Sequence, residues 1–471
     1  MRVALVATPY RGSAVCSLPI GMASIAGILR QRGHEPVIFD GEVDKSPIDV
    51  LAARVVASGA PFIAITSTSY SRDEALQLVA LLREGGVGWI GLGGHHFTHM
   101  ATETLQRVPA VDFVFQGPAE TAMSMVASAL ESGKPFPDDI PGLAWRKGDE
   151  IKSNCGGDDP AFMELKRLPY DLFPIHRYSS WDDLLFLYEA QQRENVPPGT
   201  TLTFCVGRGC PWRCHFCANV GYWKPSGGRE IRSILDELTW LRQEEGINRF
   251  IFIDPVFTLH NGRTTELVDG ITERKLGLKW FCSTRVNLVD DVLLDKMVAS
   301  GLSVIQFGVE SGSERIINSI DKKLTLNKVR DRVQAVTSRG VRAKVYFMFG
   351  HPGEEEEDVI RTIDFTRELT ERFGDKLVLV SLFTDIFPGT TLEKVARQEG
   401  RLKSDWSWFD EPDLTVNAKI QMTHTRVPMY ERVPVERVME LVATRFPRLL
   451  NRDLREGYLS KSEELAIGFQ A

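Results

Sequence analysis

One local pattern repeats along most of the 471-residue chain: a short apolar run, a polar or glycine break, then an amphipathic stretch of helical period. Five such runs fall within the first 145 residues: "RVALVAT", "EPVIFD", "PFIAITST", "GWIGLGG" and "VDFVFQG". Each has strand length but lacks the polar alternation of a sheet wetted on one face, so both faces must be covered. Between them, "IGMASIAGILRQRG" puts Met22, Ile25, Ile28 and Leu29 on one helical face and stops at Gly33. "SRDEALQLVALLREGG" sets Ser71 and Glu74 at capping-box spacing ahead of Leu78, Leu81 and Leu82. This alternation predicts an α/β fold beginning with a Rossmann-like (flavodoxin-type) parallel-sheet domain over residues 1–145. Ligands of such sheets lie at the carboxyl ends of the strands. Here those ends read "TPYRGS", "STSYS", "GGHHFT" and "QGPAE", an open rim of small and polar residues.

Residues 146–198 lose the pattern, and "KSNCGGDDPAF" and "ENVPPGT" read as linker. From Thr201 it resumes with "TLTFCVG", "RFIFID", "KWFCST", "SVIQFGVE", "AKVYFMFG" and "LVLVSLF". Helical stretches separate them, one carrying Ile234, Leu238 and Leu241 on a single face. Six strand–helix units predict a partial (β/α)6 TIM-type barrel over 199–410, with its chemistry at the strands' carboxyl ends. Residues 411–471 turn helical and charged, as a C-terminal, mostly helical cap would.

Composition bounds the partners. A formal charge of −7 gives no general attraction to nucleic acid or anionic lipid. No apolar run approaches the roughly 20 residues that span a bilayer, so no transmembrane segment is expected. The opening "MRVALVATPYRGS" reads as a strand rather than a signal peptide. Cys16, Cys155 and Cys282 stand alone, while Cys205, Cys210, Cys214 and Cys217 crowd together. Clustered thiols without a signal favour a reducing, cytoplasmic setting and a metal site. Structural zinc would want four ligands, and Cys205 or His215 could complete a set with Cys210, Cys214 and Cys217. Three thiolates alone suit a 4Fe–4S cluster with one iron open.

Cys-x3-Cys-x2-Cys after the first strand of a partial barrel, with Phe216 before the third cysteine, resembles the radical S-adenosylmethionine (SAM) superfamily. The preceding domain resembles the cobalamin-binding domain of that superfamily's cobalamin-dependent subgroup. "GLGGHHFTHMATETLQRVPAVDFVFQGPAE", "GVESGSERI", "FMFGHPGE" and "IFPGTTL" are similar to further signatures of the subgroup, and the resemblance covers about residues 1–410. It implies three cofactors: a 4Fe–4S cluster on Cys210, Cys214 and Cys217, SAM, and cobalamin. Reductive cleavage of SAM would give a 5′-deoxyadenosyl radical, and methylcobalamin would then methylate an unactivated carbon or phosphorus. The substrate would be a small molecule or natural-product precursor, and an external donor such as flavodoxin or ferredoxin would supply electrons. The alternatives are cyclisation, ring rearrangement or carbon–carbon coupling with the same cofactors, or a non-catalytic cobalamin or redox sensor. A methylthiotransferase would need a second cysteine cluster, which the N-terminal region lacks.

The resemblance also assigns residues. Phe216, Asp254, Arg285, Glu310, Gly350 and Pro352 would contact SAM: Asp254 its ammonium, Arg285 its carboxylate, Glu310 its ribose, and the Gly350–Pro352 turn its adenine. Against this, Asp254 before Pro255 could be a plain turn residue and Arg285 a surface arginine. Thr8, Pro9, Tyr10, Ser67, Ser69, Gly93, Gly94, His96, Gly117 and Glu120 would line the cobalamin site. His95, His96 and His99 match the loop beside the cofactor tail rather than the one beneath cobalt. Asp40 could serve a dinucleotide ribose instead, but the first loop lacks the G-x-G-x-x-G that approaches pyrophosphate. The acidic run Glu354–Asp358 reads as the first turns of a helix, with no chemistry assigned.

Overall fold

The computed structural model describes residues 1–9, 17–133, 136–157, 159–178, 201–219, 227–410 and 432–449. The first five apolar runs are strands: β1 (Arg2–Ala7), β2 (Glu35–Asp40), β3 (Phe62–Thr66), β4 (Trp89–Gly93) and β5 (Phe113–Phe115). They pair in parallel in the order β2-β1-β3-β4-β5, which is the flavodoxin-type order. Val3, Val6, Phe62, Ile63, Ile90, Leu92 and Val114 are wholly buried, which is why these runs show no polar alternation. Met22, Ile28 and Leu29 of helix Ile20–Gln31 are buried too, and Gly33 takes the left-handed turn at φ +84° that ends it.

Two expectations need correction. The capping box at Ser71 does not form, although helix Arg72–Glu84 does. Ser71 Oγ instead lies 3.0 Å from Ser67 Oγ and accepts the Thr68 amide at 3.3 Å, so the hydroxyl serves the rim loop before it. The sheet also continues beyond residue 145. β6 (Leu143–Lys147) pairs antiparallel with β5, and β7 (Glu150–Ser153) with β6. β7 is polar and largely exposed, as edge strands tend to be, and so carries no apolar signal.

Backbone proximity divides the chain into two compact units. One comprises Met1–Pro211, Gly221–Cys282 and Ala299–Gly301; the other comprises Trp212–Val220, Ser283–Val298 and Leu302–Ala471. Besides the first sheet, the first unit holds β8 (Thr201–Phe204), the two-residue antiparallel strands β9 (Gly207–Arg208) and β10 (Gly227–Gly228), and β11 (Arg249–Phe252). β11 pairs in parallel with β8 and with residues 279–282 of β12 (Lys279–Thr284). In the second unit β13 (Leu302–Glu310), β14 (Arg342–Phe349) and β15 (Leu377–Phe383) pair in parallel in chain order. Helices Ile231–Gln243, Asn261–Glu273, Asp291–Ala299, Leu326–Ser338 and Glu356–Phe373 lie between successive long strands, the alternation of a partial (β/α)6 barrel. Ile234, Leu238 and Leu241 are buried as their spacing predicts. Helix Val435–Arg445 packs Val435, Val438 and Val442 with Phe349, Ile363 and Phe383, so the described part of the C-terminal segment is helical. No described helix is long and apolar enough to cross a membrane.

Candidate functional site

Within the first unit, the chain that leaves β8 toward Cys210 is fixed by two buried acids. Asp254, two residues past β11, accepts the Val206 amide at 3.1 Å and the Gly207 amide at 2.5 Å, one on each oxygen. Burial pushes its carboxyl up to about 6, against the pull of these two amides. The two oxygens together offer about four acceptor sites, so these amides do not exhaust the group. Arg208 NH1 lies 2.6 Å from Glu120 Oε1, its NH2 donates to Ser24 Oγ at 2.9 Å, and its guanidinium sits 3.9 Å over the Phe162 ring. Glu120 is 1% exposed, so the acid expected beside cobalamin faces an arginine two residues before Cys210.

In the second unit, the rest of the cysteine loop is held by charge and rings. Cys214 is buried and Cys217 half-buried, its amide donating to the Cys214 carbonyl at 3.1 Å. Arg285 NH1 reaches within 3.9 Å of Cys214 Sγ, its guanidinium lies 4.5 Å over the Trp212 ring, and its NH2 donates to the Lys322 carbonyl. Lys322 Nζ pairs with Glu310 Oε1 at 2.6 Å and stands 5.8 Å from the Phe216 ring centroid. Glu310 has φ +74° at a register shift against β14, a strained position that over-determined surroundings must hold. Gly308 leaves room for this pair: a Cβ there would meet the ends of the Glu310 and Lys322 side chains, 2.8 Å from Lys322 Nζ. His351 is wholly buried and pushed down to about 4 by that burial, so it is neutral. Its Nε2 is 3.3 Å from the Glu310 carbonyl and its ring 6.1 Å from that of Phe216. The His215 carbonyl accepts the amide of Leu392 at 2.9 Å, tying the loop to the start of helix Thr391–Gln398.

The acidic run Glu354–Asp358 organises two of the rim turns. Ser313 Oγ donates to Asp358 at 2.6 Å, Arg315 pairs with the same carboxylate, and the Gly312 amide donates to Thr362 Oγ1 at 2.9 Å. Glu354 accepts the amides of Gly350 at 2.5 Å and His351 at 3.3 Å. The start of one helix thus fixes both the turn after Glu310 and the Gly350–Pro352 turn. Glu355 and Asp358 form the capping box that also starts it. Sequence reasoning missed Glu354, Asp358, Thr362 and Lys322; the signal available was an acidic run longer than one helix dipole needs.

At the carboxyl ends of β1, β3 and β4 the described groups are small or neutral. Thr8 and Ser67 are buried, and Pro9 is half-buried at the end of β1. Ser69 Oγ lies 3.0 Å from His96 Nδ1, and burial pushes His96 down to about 3, leaving it uncharged. Gly93 ends β4, and Gly94, at φ +91°, lets the chain pass so close that a Cβ would lie 2.8 Å from the Ser67 amide. Gly117, also at positive φ, donates its amide to Thr98 Oγ1 at 3.0 Å. Tyr10 lies outside the described residues, as does Cys16. Asp40 is a helix cap: it accepts the Glu42 amide at 3.1 Å and the Tyr178 hydroxyl at 2.8 Å.

Among the described residues, no three His, Cys, Asp or Glu side chains converge to hold a single ion. A 4Fe–4S cube asks for something else, one thiolate per iron at separate corners. The donor set fits that group on a further observation. Arg285 is 6% exposed, has no carboxylate partner among the described residues, and its Nε lacks any hydrogen-bond partner. An anionic group beside Cys214 would satisfy both needs.

Comparison with known proteins finds two successive matches. A B12 binding domain matches residues 13–127 and the Radical SAM superfamily matches residues 204–366. An uncharacterized methyltransferase of Pyrococcus horikoshii is 25% identical over 456 residues, covering 94% of this chain and 92% of its own. A cytidylyl-2-hydroxyethylphosphonate methyltransferase of Streptomyces wedmorensis is 25% identical over 401 residues, 75% of this chain and 74% of its own. In fold, the chain is similar to the radical S-adenosylmethionine methyltransferase TsrM from Kitasatospora setae, solved with cobalamin and a [4Fe-4S] cluster bound. The TM-score is 0.66 at 18% identity, over 85% of this chain and 75% of that one.

Proposed function

We propose that this chain, in which a B12 binding domain precedes a radical SAM domain, is a methyltransferase acting on an unactivated carbon or phosphorus of a small molecule or natural-product precursor. The buried, uncompensated guanidinium of Arg285 beside Cys214 is the observation that carries the reading. When bound, the cluster supplies the electron that cleaves SAM to methionine and a 5′-deoxyadenosyl radical, and the corrinoid supplies the methyl group.

The chain's own residues bind, orient and exclude water. Cys210, Cys214 and Cys217 hold the cluster. Arg285 offers its unpartnered Nε–H to the SAM carboxylate. Asp254 keeps acceptor capacity for the ammonium while fixing the chain before Cys210. Glu310, buried and steadied by Lys322, faces the ribose hydroxyls, and the Gly350–Pro352 turn with Phe216 forms an apolar seat for adenine. Thr8, Pro9, Ser67, Ser69, Gly93, Gly94, His96 and Gly117 line the cobalamin rim, and Glu120 is held there by Arg208 and Ser24. Neutral His96 offers a hydrogen bond rather than a charge. A cytoplasmic setting and a flavodoxin- or ferredoxin-class one-electron donor complete the proposal.

The test is anaerobic reconstitution with iron, sulfide and cobalamin, then reduction in the presence of SAM and methyl-acceptor mixtures. The reading expects 5′-deoxyadenosine together with S-adenosylhomocysteine. Deoxyadenosine alone would replace methylation by cyclisation or coupling, and neither product from a corrinoid-loaded protein would make the chain a sensor.

A further inference from the structure

Two of the buried cations in the second unit stand close to the cysteine loop, and they differ in how they are neutralised. Lys322 has its carboxylate, Glu310, at 2.6 Å. Arg285 has none among the described residues, although it is 6% exposed and a buried guanidinium without a counter-charge is strongly unfavourable. What Arg285 does have is a seat. The Trp212 ring lies 4.5 Å beneath it and the Lys322 carbonyl takes one N–H, so NH1 is delivered to Cys214 Sγ at 3.9 Å. Trp212 is two residues before Cys214, so the segment that supplies the cluster ligand also supplies the platform for the cation.

We propose that Arg285 is a positioning residue for the cluster itself, whose fixed positive charge at Cys214 sets the potential at which the cluster accepts its electron. The inference rests on the function proposed above. A cube of two-plus core charge on three thiolates carries one net negative charge, and two after it accepts one electron from a flavodoxin- or ferredoxin-class donor. No bond to the protein forms or breaks in that step. A guanidinium held against one ligand sulfur favours the more negative state and so raises the potential. The two roles of Arg285 are separable: NH1 serves the cluster whether or not SAM is present, while Nε serves SAM alone.

The experiment is a dye-mediated redox titration of the full chain, reconstituted with iron and sulfide but without SAM, followed by electron paramagnetic resonance. Wild type is compared with Arg285→Gln and Arg285→Lys, each with iron and sulfide counted. Loss of the charge should lower the reduced-to-oxidised ratio at the wild-type midpoint about tenfold, a shift of about 59 mV downward. Arg285→Lys, which keeps the charge but not the planar stack, should shift by less than half as much. A fully loaded Arg285→Gln variant with the wild-type midpoint overturns the proposal and leaves Arg285 as a SAM ligand only. Should Arg285→Gln not assemble its cluster, Trp212→Leu carries the test: the platform is lost, the ligands stay, and an unchanged midpoint again overturns it. Failure of the wild type to take up iron would instead contradict the functional reading.

Discussion

At the carboxyl ends of β1, β3 and β4 the chain places Thr8, Ser67, Ser69, Gly94 and an uncharged His96, whereas the ends of β11 to β14 carry the buried charges Asp254, Arg285, Glu310 and Glu354. Both are rims of parallel α/β sheets, so topology does not explain the contrast. The ligands do. A corrinoid is large and gathers its affinity from shape and many neutral contacts, each hydrogen bond worth about 1 kcal/mol. A cluster and the zwitterionic end of SAM are compact and charged, and demand few, strong, fully satisfied partners. One rim should therefore tolerate single substitutions, and the other should not.

The sharpest break in that contrast comes from the cysteines. Alanine at Cys210, Cys214 or Cys217 should abolish deoxyadenosine formation, measured by chromatography, while the protein stays folded and still takes up corrinoid. Next is Glu120, a buried acid on the neutral side. Glu120→Ala leaves Arg208 without its carboxylate and should cost about 3–5 kcal/mol of unfolding free energy. The pair Glu120→Leu with Arg208→Met should recover most of it, read by denaturant unfolding. Asp358→Asn weakens bonds to Ser313 and Arg315. It should lower SAM affinity about tenfold by calorimetry, or about 1.4 kcal/mol, through the turn after Glu310.

Glu354 sharpens the contrast through pH. Burial pushes its carboxyl up to about 7 from an ordinary 4.5. The folded value lies above the unfolded one, so the folded state binds the extra proton in that window and stability falls as pH rises through it. Glu354→Gln mimics the protonated acid. It should match wild type near pH 4 and exceed it by about 1–3 kcal/mol near pH 8, measured by unfolding at both values. Ser69→Ala should do least. Loss of its bond to His96 should weaken cobalamin binding only a few-fold, or about 1 kcal/mol, in a spectral titration.

Much of this was legible in the sequence, because an apolar run buried on both faces announces its strand whatever lies far away. Eleven such runs became strands near where the pattern put them, from Arg2–Ala7 to Leu377–Phe383. The β6–β7 hairpin was not legible, since an exposed edge strand such as Glu150–Ser153 has no apolar face to show. The strand ends could be located, but not what their side chains do. Ser24 meets Glu120 across 96 positions and Arg208 across 184, and no local pattern encodes such pairings. For the same reason Asp254 could be placed at a strand end while the backbone amides it latches, 47 and 48 positions back, could not be foreseen. Lys322 and Thr362 lie in stretches that read as ordinary loop and helix, and matter only through the acid and the turn they touch.

The measurement that bears most directly on the two-rim account is cobalamin binding by wild type and by a variant with Cys210, Cys214 and Cys217 all changed to alanine. Both would be titrated anaerobically with hydroxocobalamin and assayed for iron. The account predicts one corrinoid per chain in each, with dissociation constants within about twofold, and iron in the wild type alone. A wild-type chain that is folded and loaded with iron yet binds no corrinoid would contradict it.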